Sequence, residues 1–181
     1  LLIQPRYTLF LADTHVNPDP TAEEIAETTL LAAAAVRRFG IEPKVALVSH
    51  SSFGSSDHPS AQKMRDAFRL VQQRAPDLEV EGEMKADTAL SEERRARVFP
   101  NSRLQGSANL LIMPNLDAGN IAFTLAKVLE EGVSVGPMLL GMAAAAHVVT
   151  PSITVRGLVN MTALAVIDAQ EHLARKAKLT S

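Results

Sequence analysis

Short runs of consecutive apolar residues recur along the chain and are separated by longer segments with helical features. The clearest runs are Tyr7–Ala12, Val45–Val48 and Asn109–Met113. Such uninterrupted runs are typical of strands that are buried on both faces of a parallel sheet. We also expect shorter strands at Leu78–Val80 and Val148–Val149.

The segments between these runs carry recognisable helix boundaries. Thr21 with Glu24 three residues later is a capping-box signature, and Gly40 follows this Ala-rich stretch as a C-cap. Pro59, at a first-turn position, opens a second helix that Pro76 closes. Further helices are predicted at residues 92–99, 120–131 and 152–174.

Strands that alternate with helices in this way predict the α/β class. We expect a three-layer fold with a mostly parallel sheet and helices on both of its faces. Within the last helix, Asn160–Ala169 is apolar nearly all round. That pattern predicts burial, either in the core or at a subunit interface.

Composition and charge exclude several classes of function. The 181 residues carry a formal net charge of -2, with 4% aromatic residues and no Trp, which argues against nucleic-acid binding. No apolar run reaches about 18 residues without a charge or a helix breaker, so we expect no membrane span. The chain has no Cys, and its histidines lack metal-ligand spacing, so we expect no metal site.

Other sequence signals are also absent. We find no G-x-G-x-x-G, no P-loop and no H-E-x-x-H motif. The N-terminus lacks the features of a signal peptide, which favours a cytoplasmic location. The lack of an initiating Met suggests that the sequence is a piece of a longer chain.

Polar loops after three of the apolar runs are the candidate ligand site, because ligands gather at the carboxyl ends of strands in open α/β sheets. Small hydroxyl residues and a glycine in the first loop allow close backbone approach and offer N–H donors to an anion. An ordinary polar loop, helix caps and a surface charge are the alternatives for the three loops. The candidate residues are Ser49, Ser51, Ser52, Gly54, Ser55, Asn115, Asn120, Thr150, Ser152, Arg156 and Asn160.

Five stretches, in order, resemble the phosphate acetyltransferase and butyryltransferase family. They are ADTHVNPDPTAEEIAE (12–27), GIEPKVALVSHSSFGSS (40–56), Gly82-Glu83 with Asp87-Thr88-Ala89, ANLLIMPNLDAGNIAF (108–123) and VGPMLLG (135–141). The resemblance implies a two-domain α/β fold of the isocitrate/isopropylmalate dehydrogenase type, and a dimer. On that view residues 1–142 are the second domain. Residues 143–181 return to the first domain, whose N-terminal part is absent.

A closer resemblance narrows this interpretation. Residues 49–67, 80–90, 98–122 and 159–170 look like the C-terminal domain of hybrid NADP-dependent malic enzymes. This resemblance implies an acetyl-CoA effector that inhibits malic enzyme domains attached in the same chain. It places NADP and a magnesium or manganese ion in the parent enzyme, outside this chain.

The sequence departs from the active family at its catalytic motif. Active members carry Ser-Arg-Gly after the Gly-Pro stretch and an Asp seven residues after that Ser. In ungapped register, Thr150-Pro151-Ser152 and Gly157 stand at these positions. Acyl transfer needs a base and groups that stabilise negative charge, and Pro151 and Gly157 supply neither. We therefore expect a catalytically degenerate, acetyl-CoA-binding regulator. The alternatives are an active phosphate acetyltransferase and a purely structural dimerisation module.

Overall fold

A computed structural model of the chain describes residues 1–3, 7–129, 133–151 and 153–180. Strands and helices alternate along most of its length. The described elements are β1 (Leu2–Ile3), β2 (Thr8–Ala12), α1 (Ala22–Arg38), β3 (Val45–Val48), α2 (Pro59–Arg74), β4 (Val80–Met84), α3 (Ala86–Leu90), α4 (Glu92–Val98), β5 (Leu110–Ile112), α5 (Leu116–Leu129), β6 (Val133–Ser134) and α6 (Val155–Thr180).

The six strands found among the described residues form one sheet in the order β4-β3-β5-β2-β1-β6. The pairs β4–β3, β3–β5 and β5–β2 are parallel, whereas β1 runs antiparallel to both β2 and β6. The sheet is therefore mixed, with its parallel strands contiguous on one side. The predicted α/β class is thus present, but the mostly parallel sheet that the sequence predicts is not confirmed.

Helices cover both faces of the sheet. On the fully buried strand β3, Val45 and Leu47 join one apolar cluster, while Ala46 and Val48 join the other. This division follows from the alternation of side chains along a strand. The first cluster includes residues of α1, α2 and α6, and the second includes residues of α3 and α5. The predicted three-layer arrangement of helices around a sheet is present.

The predicted helix boundaries at α1 and α2 are confirmed. The Thr21 N–H donates to Glu24 Oε2 at 2.7 Å, and Thr21 Oγ1 accepts from the Glu24 N–H at 3.3 Å, which completes the capping box. Gly40 ends this helix with a φ of 72°, a conformation that glycine adopts without strain. Helix α2 begins at Pro59, as its fixed φ favours, with His58 as the N-cap.

Two predicted helices begin elsewhere, because other side chains cap them. Asn115 Oδ1 accepts from the Ala118 N–H at 2.9 Å, so α5 begins at Leu116 rather than at residue 120. Thr154 Oγ1 accepts from the Gly157 N–H at 3.0 Å, so α6 begins at Val155 rather than at residue 152. It also extends to Thr180, beyond the predicted end at residue 174.

The short strands were predicted less well than the helices. The described residues contain no strand at Val148–Val149, and both of these side chains are exposed. Strand β4 spans Val80–Met84 rather than Leu78–Val80, because it continues through two buried glutamates that no apolar pattern reveals. Strand β1 and helix α3 were not predicted.

The last helix adds few side chains to the core. Within Asn160–Ala169, only Met161 is fully buried, and Val166 and Ile167 are exposed. The prediction of core burial for the whole stretch is therefore wrong, because only one face of α6 packs against the first apolar cluster. Burial at a subunit interface, the other alternative, stays a prediction. One face of α6 presents large exposed apolar side chains, which we name the outer apolar surface. Its residues are Val155, Val159, Val166 and Leu173.

Candidate functional site

The carboxyl ends of the parallel strands meet at one edge of the sheet, where two of the predicted loops lie side by side. Leu47 of β3 pairs with Ile112 of β5, and Ile112 pairs on its other side with Ala12 of β2. The loops after these strands therefore open on the same edge. This is the position at which open α/β sheets bind ligands.

The loop of residues 49–56, which follows β3, is organised by a glutamate on the neighbouring strand β4. The Ser51 hydroxyl donates to Glu83 Oε1 at 2.6 Å, the Gly54 N–H donates to it at 3.1 Å and Arg65 Nη1 donates to it at 3.0 Å. The Glu83 side chain is fully buried. Its second oxygen, Oε2, has no hydrogen-bond partner among the described residues.

The backbone donors of this loop are used inside the chain. The Ser51 N–H donates to Ser49 Oγ, and the Ser52 N–H donates to Ser55 Oγ. The Phe53 N–H donates to the Glu83 carbonyl oxygen at 2.8 Å. The Ser55 N–H donates to the Ser52 carbonyl oxygen at 3.1 Å. The N–H groups of residues 51–55 are therefore engaged within the chain, and the Glu83 carboxylate accepts the Gly54 N–H in place of an external anion.

The tip of the loop is anchored by an aromatic pair that the sequence did not reveal. Phe53 and Gly54 both have positive φ angles, 49° and 85°. The Phe53 ring stacks on Phe99, with ring centroids 4.3 Å apart and planes 17° apart. This stacking offsets the cost of a left-handed conformation at a non-glycine residue.

The second candidate loop, which contains Asn115 and Asn120, connects α5 to the loop after β2. Asn115 caps α5, which was the alternative to ligand contact. Asn120 Nδ2 donates to the Thr14 carbonyl oxygen at 3.2 Å. A Cβ atom at Gly119 would lie 2.0 Å from the Asp13 carbonyl oxygen. Only glycine therefore allows α5 to approach the end of β2 this closely.

Asp13 is a residue at this edge that the sequence analysis did not single out. Its Oδ1 accepts from the N–H groups of His15 and Val16, at 2.8 and 3.0 Å. Its Oδ2 accepts from the Asn17 N–H at 2.8 Å and from Asn17 Nδ2 at 2.9 Å. An Asp directly after an apolar run and before Asn17-Pro18 is the sequence signal that could have identified this turn.

The third group of candidate residues lies around the start of α6. Thr150 and Arg156 are exposed and Asn160 is half-buried, whereas Ser152 lies outside the described residues. Across the described part of the chain, no hydrogen bond links Arg156 or Asn160 to the loop of residues 49–56. Ligand contact by these residues stays a prediction.

Asp168, a carboxylate on α6, is held by neighbouring basic side chains. Asp168 bonds to Arg38 Nη1, at the end of α1, and lies 3.1 Å from His147 Nε2. Because α1 runs from the carboxyl end of β2 to the start of β3, Arg38 lies towards the opposite edge of the sheet. Asp168 is accordingly held by a cation away from the candidate site.

The described residues contain no group of three or more His, Asp or Glu residues placed to hold a metal ion. None of their helices is both long enough and apolar enough to cross a membrane.

Comparison with known proteins identifies relatives of two kinds. Residues 1–166 match the family described as phosphate acetyl/butaryl transferase. An NADP-dependent malic enzyme of Escherichia coli is 56% identical over 170 residues, which cover 93% of this chain and 22% of that protein. An NAD-dependent malic enzyme of Rhizobium meliloti is also 56% identical, over 93% of this chain and 22% of that protein. This chain thus spans about a fifth of their length, at the C-terminal part of the malic enzymes.

A solved structure supports the same fold. The EutD phosphotransacetylase from Staphylococcus aureus superposes with a TM-score of 0.86 at 30% identity, over 94% of this chain and 52% of that one. The sequence resemblance to both the acyltransferase family and the malic enzymes is confirmed.

Proposed function

Because this chain belongs to the phosphate acetyl/butaryl transferase family, we propose that it is an acetyl-CoA-binding domain that regulates an attached malic enzyme. One observation carries the proposal. The chain is 56% identical to malic enzymes over 93% of its length, but 30% identical to the phosphotransacetylase from Staphylococcus aureus. It shares a fold with the second protein and more of its residues with the first.

The proposed loss of acyl transfer rests on the start of α6. Gly157 lies in the first turn, where its N–H donates to Thr154 Oγ1, and it offers no carboxylate to take a thiol proton. Pro151 offers neither a positive charge nor an N–H. Loss of one group that stabilises the transition state commonly costs about a hundredfold in rate. Affinity for the nucleotide and the pantetheine survives such a loss, because other groups provide it.

Acetyl-CoA binding is proposed at the carboxyl edge of the parallel strands. The loop of residues 49–56 presents small hydroxyl side chains there, and Asn115 lies at the end of the next strand. Arg156, on the exposed start of α6, supplies positive charge for the phosphates. The nicotinamide cofactor and the divalent metal belong to the malic part of the protein, outside this chain. The remaining proposals from the resemblance are the isocitrate dehydrogenase type of fold, the domain boundary near residue 142 and a cytoplasmic location.

Self-association is proposed through the outer apolar surface. Val159, Val166 and Leu173 recur every seven residues on α6 and are 62%, 52% and 67% exposed. A continuous exposed apolar face of this kind favours contact with a second copy. We expect Val166→Asp to yield a monomer in light scattering, whereas Gln73→Asp, at an exposed polar position of α2, leaves the dimer intact. A dimer unaffected by Val166→Asp would place the interface elsewhere.

Binding and catalysis are separated by one pair of measurements. We expect calorimetry to detect acetyl-CoA binding, and an assay of acetyl transfer to phosphate to detect no turnover. Robust formation of acetyl phosphate would instead establish an active phosphate acetyltransferase. Binding without turnover supports the proposal, and absence of binding with intact dimers would leave a dimerisation module.

Reversal of a single charge tests the placement of the phosphates. We expect Arg156→Glu to weaken acetyl-CoA binding about tenfold, through repulsion of the phosphates. Arg37→Glu is the control, since Arg37 is exposed and pairs with Glu42 at the end of α1. Equal affinities in the two variants would remove Arg156 from the site.

Regulation is tested in the full-length protein. We expect saturating acetyl-CoA to slow malate oxidation, because an effector that binds one state more tightly shifts the equilibrium towards it. An unchanged rate at saturating acetyl-CoA, in a protein that demonstrably binds it, would refute regulation but not binding.

A further inference from the structure

We propose that Glu83 is the positioning residue of the loop at residues 49–56, and that its buried carboxylate acts as a built-in anion that fixes the loop for acyl-CoA binding. The inference rests on the proposed function in one respect, the identity of the ligand. The positioning role itself rests on the contacts of Glu83.

Three donors, two from the loop of residues 49–56 and one from α2, converge on one oxygen of this side chain. Glu83 Oε1 accepts from the Ser51 hydroxyl, from the Gly54 N–H and from Arg65 Nη1, at 2.6, 3.1 and 3.0 Å. The same guanidinium nitrogen also donates to the Ser56 carbonyl oxygen at 3.0 Å. The carboxylate and Arg65 therefore hold the loop at its start, its tip and its end.

Burial of this carboxylate is not explained by hydrogen bonding alone. A neutral glutamine would offer the same three donors an acceptor oxygen, without the cost of burying a charge. Glu83 Oε2 is fully buried and has no partner among the described residues. What the carboxylate adds over an amide is its negative charge, which attracts Arg65 and the loop donors together.

The negative charge also determines where a ligand meets the loop. An external phosphate cannot occupy the space inside the loop, because the carboxylate already fills it and would repel a second anion. The acyl-CoA must contact the loop from outside. Positioning by Glu83 therefore sets affinity through the shape of the loop rather than through direct contact.

A second glutamate on β4 provides a matched control. Glu81 is also buried, at 4% exposure, and its Oε2 accepts from the Arg103 N–H at 2.9 Å. It thus supports the segment before β5 rather than the loop of residues 49–56. Glu81→Ala and Glu83→Ala remove the same group from the same strand, two residues apart.

The experiment measures amide hydrogen exchange in the intact protein that contains this chain, with and without formate. In Glu83→Ala we expect exchange at Ser51–Ser55 to accelerate about tenfold or more, because charge-assisted hydrogen bonds are lost. Formate should fit the vacated space and restore protection, whereas chloride at equal ionic strength should not. Glu81→Ala should leave these amides protected in either salt.

Affinity for acetyl-CoA is measured on the same variants. We expect Glu83→Ala to bind about tenfold more weakly, with formate recovering part of the loss, and Glu81→Ala to bind like the parent protein. If Glu83→Ala does not fold, Glu83→Gln replaces it. We then expect intermediate acceleration of exchange and a smaller loss of affinity, since the acceptor stays and the charge is lost.

The outcomes separate the two proposals. Unchanged loop exchange in Glu83→Ala, or in Glu83→Gln where the alanine variant does not fold, would overturn the positioning role. So would acceleration in Glu83→Ala that formate does not reverse. Faster exchange with unaltered acetyl-CoA affinity would overturn its effect on binding. If the parent protein itself binds no acetyl-CoA, the proposed function fails, while reversible loop exchange would still support the positioning of the loop by Glu83.

Discussion

Two loops of this protein are each organised by one buried charged side chain, and the charges are opposite. The Glu83 carboxylate collects hydroxyl, amide and guanidinium donors from the loop of residues 49–56. The Arg95 guanidinium collects carbonyl acceptors around the loop that follows α4. Its partners are the carbonyl oxygens of Thr88, Ala89, Leu104 and Gly106.

The two loops differ in how completely the charged group is used. Both terminal nitrogens of Arg95 donate hydrogen bonds, and Arg95 is only 1% exposed. Burial lowers the pKa of Arg95, an effect that nearby Glu92, Glu81 and Glu79 oppose. Glu83 leaves one oxygen without a partner among the described residues and lies beside the loop of the candidate site. We therefore expect Arg95 to act on stability, whereas the role proposed for Glu83 also concerns the shape of that loop.

The largest expected effect is the loss of the buried arginine. Arg95→Met fills a similar volume but removes a donor from four carbonyl oxygens, of which that of Ala89 keeps another donor, the Ala108 N–H. We therefore expect the free energy of unfolding to fall by about 4 kcal/mol. Denaturant titration checks this value. Arg94→Met is the control, because Arg94 is exposed, adjacent on α4 and paired with Asp87, and it should cost under about 0.5 kcal/mol. Equal losses would contradict the role assigned to Arg95.

Removal of the cation beside Glu83 should come next. Arg65→Met leaves a buried carboxylate without its counter-ion, and we expect a loss of about 3 kcal/mol in the free energy of unfolding. Arg69→Met, one turn further along α2, removes only an exposed pair with Asp66. It should change stability by about 0.5 kcal/mol or less. A loss from Arg65→Met as small as that of its control would mean that Glu83 does not need this cation.

A single donor to Glu83 should have a smaller effect. Ser51→Ala deletes one hydroxyl bond to the carboxylate, and we expect a loss of about 2 kcal/mol. Ser52→Ala, in the same loop, deletes only an exposed acceptor for the Lys85 N–H and should cost less than about 1 kcal/mol. If thermal unfolding ranks the two variants in the reverse order, the convergence on Glu83 is not what orders the loop.

The smallest effect concerns the exposed capping box of α1, where a carboxylate accepts bonds without burial. Hydrogen bonds from the Thr21 backbone N–H and then from its hydroxyl lower the pKa of Glu24. A carboxyl whose pKa is lower in the folded state stabilises the fold at pH values above its unfolded pKa. This stability is lost as the pH falls through the folded-state pKa. Glu24→Gln should therefore lower the melting temperature at neutral pH but not in acid. Glu27→Gln, at an exposed position of α1 outside the capping box, is the matched control.

Local signals in the sequence predicted those features that depend on neighbouring residues. Thr21 and Glu24 fixed the start of α1, and Pro59 fixed the start of α2, because caps and first turns need only a few residues. The uninterrupted apolar runs located β2, β3 and β5. The loop after β3 was identified as a candidate site because it follows a buried strand.

Long-range contacts explain what the sequence did not predict. Glu81, Glu83 and Arg95 are charged, and no local pattern shows that their partners lie many residues away. Val148 and Val149 read as a strand because they are β-branched, but no neighbouring strand pairs with them among the described residues. The sequence also left open whether α6 is buried in the core or at a subunit interface, since an all-round apolar helix predicts burial without naming the surface that covers it.

The sequence alone determined the element types, the family and the loops that follow the parallel strands, because these depend on residue type and short-range spacing. Only the tertiary structure decided that the Ser51 hydroxyl and the N–H groups of Phe53 and Gly54 donate to Glu83. That arrangement requires α2, β3 and β4 to meet. A hydrogen bond between residues 32 positions apart in the chain has no local signature, because chain folding alone brings its two partners together.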